Sequence, residues 1–293
     1  MISGASGMFG ATLVNELKNE LKIFATGASF YEGQPADYMK FDLKSSSYQE
    51  LIDWARPEII IHCGALTNAE YCEANPNEAF NINGTSVYKF LQATKKEIKI
   101  IYISTDAVFP SSLHLAKETD CVSPENTYGK SKELGEFFLN KTTNRDYTII
   151  RTTIVGFNIN KEKRGFVEEI ISRANQDLDL RLFNDVLFSP ISIWDLANEI
   201  KFLIKSNNIN SETLHITSET CDKYQFGKLL LENLNISTAK LFKGSILSFK
   251  ERTNRSMDQS MDSSFYIKKY NRNLPSLNQT IANIKKYYLQ KSA

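Results

Sequence analysis

Long apolar runs are missing from this 293-residue sequence, and so is an excess of charge of either sign. A membrane-spanning helix needs about 20 apolar residues in a row. No run approaches that length, so we predict no membrane span. The 35 basic and 34 acidic residues leave a formal net charge of +1, which gives no reason to expect nucleic acid as a partner. Because the N-terminus enters a glycine-rich turn directly, we expect no signal peptide.

Cysteine is scarce, and its placement argues against disulfides and metal sites. The four cysteines are scattered and form no Cys-x-x-Cys pair. Only Cys63 adjoins a histidine, His62, and neighbours on a strand point to opposite faces, which does not suit a shared metal ion. We therefore predict no metal, reduced thiols and a cytoplasmic location. The other three cysteines are Cys72, Cys121 and Cys221.

Continuous apolar runs alternate with helical patterns through the first half of the chain. Such runs are typical of strands buried on both faces of a parallel sheet. The strand-like runs cover 23–26, 58–63, 98–104 and 147–151. The helical patterns cover 11–21, 47–55, 69–94 with a break near Asn81, and 128–139. This alternation predicts an α/β fold with a Rossmann-type, doubly wound parallel sheet and right-handed crossovers.

The alternation loosens after Gly156. We predict a Rossmann domain over residues 1–155 and a smaller α+β region over 156–293, of which 190–217 is expected to return to the Rossmann sheet. Asp195 is the expected N-cap of a helix that ends at Ile204. The remaining elements are expected as helices at 166–175 and 277–289 and as strands near 180, near 186 and at 214–216.

The chain opens with three glycines in a Gly-x-x-Gly-x-x-Gly turn, at Gly4, Gly7 and Gly10. Glycine permits a tight turn and lets the backbone approach a pyrophosphate. A helix that begins near Met8 would direct its free N–H groups at the phosphates. An ordinary β-to-α turn is the alternative. Only three residues precede Gly4, so the first strand is either a stub or a truncated one.

Two further segments bear on a bound dinucleotide. Asp42 follows the second strand and is placed to accept a hydrogen bond from an adenine amino group, unless it only caps a loop. The second strand ends Thr26-Gly27-Ala28-Ser29. This end has neither the acidic residue that favours NAD nor the arginine that favours NADP. The choice between NADPH and NADH stays open.

A candidate catalytic group follows the third predicted strand. Thr105 comes at the carboxyl end of that strand, where ligands bind in such sheets. Tyr128 and Lys132 are one helical turn apart and share a face. A lysine ammonium beside a phenol lowers the tyrosine pKa from about 10. We expect Tyr128 to act as a general acid and Thr105 to bond a substrate carbonyl oxygen. A second Tyr-x-x-x-Lys, Tyr224 with Lys228, we interpret as structural.

These segments together resemble the dTDP-4-dehydrorhamnose reductase family of the extended short-chain dehydrogenase/reductase superfamily, and the resemblance runs through nearly the whole chain. Within it, Ile154 stands where the rhamnose enzymes tend to place a tryptophan, and 183–188 lacks their usual Gln-x-Gly. Both departures put the identity of the sugar in doubt. The segments that carry the resemblance are 4–10, 56–68, 79–85 with its buried Asn, 104–109, 128–132, 189–197 and 260–264.

The resemblance implies a reductase of a nucleotide-linked 4-keto-6-deoxysugar, with NADPH or NADH as hydride donor. Thr105, Tyr128 and Lys132 are its implied catalytic triad. Lys132 would also hold the cofactor ribose. The implied substrate contacts are Thr105, Asp106, Tyr128 and Ile154. The implied cofactor contacts are Gly4, Gly7, Met8, Phe9, Gly10, Asp42, Leu43, Cys63, Gly64, Ala65, Thr67, Tyr128 and Lys132.

Two other functions stay open at this point. An epimerase of the same superfamily would turn over sugar without net cofactor consumption. A non-catalytic NAD(P)-binding regulatory subunit would have no need of Tyr128, so the intact triad favours an enzyme. A homodimer is compatible with the resemblance, whereas the nucleotide base, the sugar and the product stereochemistry are not fixed by the sequence.

Overall fold

A computed structural model describes residues 1–45, 47–159, 164–248 and 256–292. The first half alternates strands and helices, as the apolar runs predict. Its elements are β1 (Ile2–Ser3), α1 (Met8–Leu17), β2 (Ala25–Gly27), β3 (Tyr38–Lys40), α2 (Tyr48–Ala55), β4 (Ile59–His62), α3 (Ala69–Ala74), α4 (Pro76–Ala79), a π-helix (Phe80–Thr85), α5 (Ser86–Ala93), β5 (Lys99–Ile103), a 3₁₀ turn (Asp106–Val108), α6 (Thr127–Asn140) and β6 (Tyr147–Arg151).

The second half is built from shorter strands and from helices of 7 to 16 residues. Its elements are β7 (Thr153–Val155), α7 (Phe166–Asn175), β8 (Leu180–Phe183), β9 (Leu187–Phe188), β10 (Pro190–Ser192), α8 (Ile193–Lys205), β11 (Glu212–His215), β12 (Cys221–Asp222), α9 (Lys223–Asn233), β13 (Leu241–Gly244), a 3₁₀ turn (Ile246–Ser248), β14 (Asp258–Gln259), α10 (Ser264–Tyr270) and α11 (Leu277–Ser292).

Seven parallel strands form the central sheet in the order β3-β2-β1-β4-β5-β6-β11. The strand order reverses between β1 and β4, and ligands bind at such a switch point. The predicted doubly wound fold is confirmed. β1 has only two residues, yet it pairs with β2 on one side and β4 on the other.

Neighbouring residues of each central strand enter different cores, because successive side chains of a strand point to opposite faces. Ile61 and Ile101 pack in the core covered by α1 and α8. Ile60 and Ile100 pack in the core covered by α2, α5 and α6. Burial on both faces explains why these strands read as continuous apolar runs.

The predicted cap of α8 is wrong. Ser192, not Asp195, is the N-cap, since its side chain accepts a hydrogen bond from the Asp195 backbone N–H. Asp195 lies in the first helical turn, where a carboxylate is favoured by the helix dipole. β3 is an element without a sequence prediction. Within the described ranges, no helix is both long enough and apolar enough to cross a bilayer.

Candidate active site

The glycine turn joins β1 to α1 at the switch point of the sheet. Gly4 has a φ of +83°, and a Cβ there would lie 2.4 Å from the Gly64 backbone nitrogen. A Cβ on Gly10 would lie 2.3 Å from the Gly4 carbonyl oxygen. The turn can therefore pack against the end of β4 only with glycine at these positions. The first turn of α1 leaves amide groups without intrahelical partners, as an anion site requires.

A cleft beside this turn contains most of the predicted cofactor contacts. It encloses about 750 Å³, including its open mouth. Of the predicted residues it is lined by Gly4, Gly7, Asp42, Leu43, Cys63, Gly64 and Ala65. It is also lined by residues that the sequence did not single out as contacts, namely Ser3, Ser6, Thr26, Gly27, Ala28, Phe41, Leu66 and Ile82.

Six predicted cofactor contacts do not line this cleft, namely Met8, Phe9, Gly10, Thr67, Tyr128 and Lys132. Phe9 is buried in the hydrophobic core, and Met8 packs against the same core. Met8, Phe9 and Gly10 form the first turn of α1, so their backbone amides, rather than their side chains, are the groups available to a phosphate. Thr67 lies just beyond Leu66, which does line the cleft.

Asn83, in the π-helix, fixes the loop that follows β4. Its side chain accepts a hydrogen bond from the Leu66 N–H at 2.7 Å and donates to the Leu66 carbonyl at 2.9 Å. It also donates to the Ser131 hydroxyl at 2.8 Å. A π-helix commonly marks a functional site. Here it ties the cleft-lining loop to α6, the helix that carries Tyr128 and Lys132.

Thr105 and Tyr128 meet beyond the carboxyl end of β5. The Thr105 hydroxyl donates to Asp106 Oδ1 at 2.8 Å and accepts from the Ala107 N–H at 3.2 Å. The Tyr128 phenol lies near enough to this hydroxyl for it to lower the phenol pKa, against the larger effect of burial. Tyr128 lies in the first turn of α6, whose N-cap is Asn126. The two predicted catalytic residues therefore contact each other.

Lys132 does not lower the pKa of Tyr128, and that prediction is wrong. The Lys132 Nζ donates to the Ile103 carbonyl at 2.7 Å and lies 4.0 Å from the centre of the Tyr102 ring. Burial raises the pKa of Tyr128, against a lowering contribution from the Thr105 hydroxyl. The phenol is thus neutral at neutral pH, as a proton donor must be.

Asp106 is buried beside Thr105. Its Oδ2 accepts a hydrogen bond from the Thr153 hydroxyl at 2.5 Å. Burial raises the pKa of Asp106, opposed by the bonds from Thr153 and Thr105. Ile154 follows Thr153 in β7 and is half-buried against the hydrophobic core. Of these two predicted substrate contacts, Asp106 is hydrogen-bonded to Thr105. Ile154 packs one side of its side chain against the hydrophobic core.

The second Tyr-x-x-x-Lys lies in α9, away from this cleft. Its lysine, Lys228, is half-exposed and pairs with Glu232 at 3.8 Å on the same helix. The Tyr224 ring lies 5.3 Å from the Lys243 ammonium. Both contacts are those of an ordinary surface helix. In the described part of the chain, no group of three His, Cys, Asp or Glu is placed to hold a metal ion.

Two curated proteins and one crystal structure illustrate what this chain is similar to. The spore coat polysaccharide biosynthesis protein SpsK of Bacillus subtilis is 30% identical over 82% of this chain and 81% of its own length. Methionine adenosyltransferase 2 subunit beta of Rattus norvegicus is 25% identical over 82% of this chain and 73% of its own. A crystal structure of dTDP-4-dehydrorhamnose reductase from Bacillus anthracis in complex with NADP has a TM-score of 0.80 and 25% identity, covering 97% of this chain and 96% of that one.

A family model covers almost the whole sequence. The model for the RmlD substrate binding domain matches residues 1–289. The match spans the glycine turn, the cleft and the Thr105–Tyr128–Lys132 group together. The chain belongs to the RmlD substrate binding domain family.

Proposed function

We propose that this chain is a reductase that uses NADPH or NADH to convert the 4-keto group of a nucleotide-linked 6-deoxysugar into a hydroxyl. The observation that carries the proposal is the glycine-turn cleft at the switch point of the sheet, with Thr105 and Tyr128 next to each other beyond the carboxyl end of β5. The family match and the NADP complex of the Bacillus anthracis reductase support it. The enzyme belongs to deoxysugar and surface polysaccharide synthesis, as the name of SpsK also suggests.

The chain's residues divide the work of this reaction among binding, orientation and proton transfer. When bound, the reduced nicotinamide supplies the hydride. Tyr128 donates the proton that the ketone oxygen needs, and burial keeps its phenol protonated. Thr105 orients the ketone beside Tyr128. Lys132 bonds the cofactor ribose, and the amides of the glycine turn bind the pyrophosphate.

The predicted contacts and regions enter this proposal as follows. Asp42 and Leu43 would contact the adenosine half of the cofactor, and Cys63 to Ala65 with Thr67 would follow its path across the switch point. Asp106 and Ile154 would contact the sugar. Residues 1–155 would bind the cofactor and 156–293 mainly the substrate. A cytoplasmic location and a homodimer complete the proposal, and light scattering on a sizing column would test the dimer.

A regulatory, non-catalytic subunit is the second candidate. The observation in its favour is the relative from Rattus norvegicus, whose name is that of a subunit of another enzyme. The contact between Thr105 and Tyr128 favours the reductase, because a pure binding module has no use for a buried proton donor. An epimerase would keep the same groups, and only cofactor consumption separates it from a reductase.

The test follows nicotinamide absorbance with a panel of dTDP-, UDP-, CDP- and GDP-linked 4-keto-6-deoxysugars. We expect net oxidation of NADPH or NADH with at least one of them. Tyr128→Phe removes the proton donor and should lower kcat about a hundredfold or more. Tyr224→Phe, in the second Tyr-x-x-x-Lys, is the matched control and should retain full activity. Undiminished turnover by Tyr128→Phe would overturn the mechanism.

A further inference from the structure

A buried ion pair lies one helical turn beyond Lys132. The Glu136 carboxylate accepts hydrogen bonds from the Arg151 guanidinium, with Nη2 to Oε2 at 2.7 Å and Nε to Oε1 at 3.0 Å. It also accepts a hydrogen bond from the Ser104 hydroxyl at 2.5 Å. The three residues come from α6, from the end of β6 and from the end of β5. The pair therefore joins the elements that carry the catalytic group.

Both charges of this pair are almost completely shielded from water. The side chains of Glu136 and Arg151 are 3% and 6% exposed. Desolvation of two ions can exceed their mutual attraction, so a buried pair is weak evidence of a stabilising role. The Arg151 Nη1 atom has no hydrogen-bond partner among the described residues. Because desolvation of the two charges offsets their attraction, we look for a role of this ion pair other than stabilising the fold.

Lys132 is the nearest catalytic residue to this pair along α6. Residues four apart share a helix face, so Glu136 lies over the turn that follows Lys132. The Ile103 carbonyl binds the Lys132 ammonium, and the next residue, Ser104, binds the Glu136 carboxylate. Two consecutive residues at the end of β5 thus anchor the lysine and the glutamate separately. Thr105 comes directly after them.

Groups on three elements act on the charge of Lys132. Burial lowers the pKa of Lys132 to about 7, and the Glu136 carboxylate is the largest influence that raises it. Cys63, from the end of β4, also raises it. Burial and, after it, the positive charge of Lys132 lower the pKa of His62 in β4. The Tyr102 ring of β5 lies under the Lys132 ammonium. Of the groups that raise the pKa of Lys132, Glu136 is the carboxyl group.

Side chains from β5 and β6 hold the Glu136 carboxylate in place. Arg151 faces it from β6 with three guanidinium contacts, and Ser104 faces it from β5. Two other titratable groups lie near Glu136: Glu133 on the same helix and Tyr102 on β5. Burial and, after it, the charge of Glu136 raise the pKa of each. Tyr128 lies two turns away on α6. The guanidinium of Arg151 and the hydroxyl of Ser104 together fix the position of the Glu136 carboxylate.

We propose that Glu136, anchored by Arg151 and Ser104, is a positioning residue that keeps the buried Lys132 ammonium charged and directed at the cofactor site. The inference rests on the proposed function, because it assigns Lys132 the role of holding the cofactor ribose. It adds a residue that touches neither substrate nor cofactor and acts through Lys132. Glu136→Gln keeps the shape of the side chain and removes its charge.

The experiment reads the titration of Lys132 without using the reaction. Lysine labelled with ¹³C at Cε is followed by NMR from pH 5 to 10, and Lys132→Arg identifies the resonance. We expect Glu136→Gln to lower the midpoint of Lys132 by about one pH unit or more. The fall in NADPH affinity with rising pH, and the alkaline limb of kcat/KM, should move by the same amount.

Glu133→Gln is the matched control, because Glu133 is a carboxylate of the same helix that is not among the groups acting on the pKa of Lys132; it should leave the midpoint in place. Glu136→Gln leaves a buried guanidinium without its carboxylate. If that variant does not fold, Glu136→Gln with Arg151→Met removes both charges, and the midpoint should still fall, but by less, because the repulsion between Arg151 and Lys132 is lost as well. An unchanged Lys132 midpoint in the folded variant overturns the inference. A shifted midpoint in a protein that reduces no keto-sugar supports the inference and contradicts the proposed reductase.

Discussion

The hydroxyl of Thr105 has its one proton already engaged. It donates to Asp106 Oδ1 at 2.8 Å, while Asp106 also accepts a bond from Thr153. A substrate ketone must therefore compete with Asp106 for that proton. Burial raises the pKa of Asp106, so this carboxyl takes up a proton more readily than one in water does. The contact with Tyr128 sets the place where the ketone oxygen has to lie.

Replacement of Thr105 tests this orienting role. Thr105→Val keeps the shape of the side chain and removes the hydroxyl that orients the ketone. We expect kcat/KM for the keto-sugar to fall about a hundredfold, the usual cost of a lost donor at a reacting oxygen. NADPH affinity, measured by fluorescence titration, should stay close to that of the wild type. Thr105→Ser is the control and should keep most of the activity, whereas equal losses in both variants would contradict the role.

Sequence spacing predicted a catalytic group of Thr105, Tyr128 and Lys132, but not how their charges act. The contact of Thr105 with Tyr128 follows from a strand end and a helix start, which the sequence shows. The pKa of Tyr128 was predicted in the wrong direction, because spacing does not show that the Lys132 ammonium bonds the Ile103 carbonyl. The pairing of Glu136 with Arg151 was missed for the same reason. The pair joins α6 to β6, and the spacing of residues along the chain does not show which side chains of two different elements come into contact.

At the scale of elements, the glycine turn can pack against the segment after β4 because no side chain separates the backbones of Gly4 and Gly64. Gly4 and Gly33 both have a φ near +80°, at +83° and +81°. A Cβ on Gly4 would lie 2.4 Å from the Gly64 nitrogen, whereas a Cβ on Gly33 would meet nothing within 4 Å. The two glycines therefore differ in close approach alone.

This contrast gives a matched pair of substitutions. Gly33→Ala should lower the free energy of unfolding by about 1 kcal/mol, the cost of a left-handed backbone. Gly4→Ala adds a clash between the turn and the end of β4, so it should cost several kcal/mol more. It should also weaken NADPH binding about tenfold or more. Urea unfolding and fluorescence titration measure the two effects, and equal behaviour of both variants would show that the close approach is unimportant.

Elements were predictable where side chains repeat with a clear period. Helix α7, with its apolar stripe, has the predicted bounds 166–175. β3 was missed because its residues are half-buried or exposed at the edge of the sheet, so it lacks an apolar run. The cap of α8 was misplaced by three residues, since Ser192 and Asp195 are both good capping residues and only the backbone decides between them.

For the whole molecule, two of the three histidines are buried as neutral groups. His62 joins β4 to β1 and α5 through the hydroxyls of Ser3 and Ser86, at 3.2 and 3.0 Å. His215, in β11, contacts the Asp262 carbonyl at 3.2 Å. Burial lowers the pKa of each to about 3. The third, His114, is on the surface beside Asp258.

These two histidines should make the fold sensitive to mild acid. Above pH 6.5 they are neutral in both states, and below it only the unfolded chain gains their protons. The free energy of unfolding should then fall by about 1.4 kcal/mol per pH unit for each histidine. Urea unfolding between pH 7 and 5 measures the slope, which His215→Gln should reduce by one such contribution. A slope that His215→Gln does not alter would mean that the buried ring is already protonated in the folded protein.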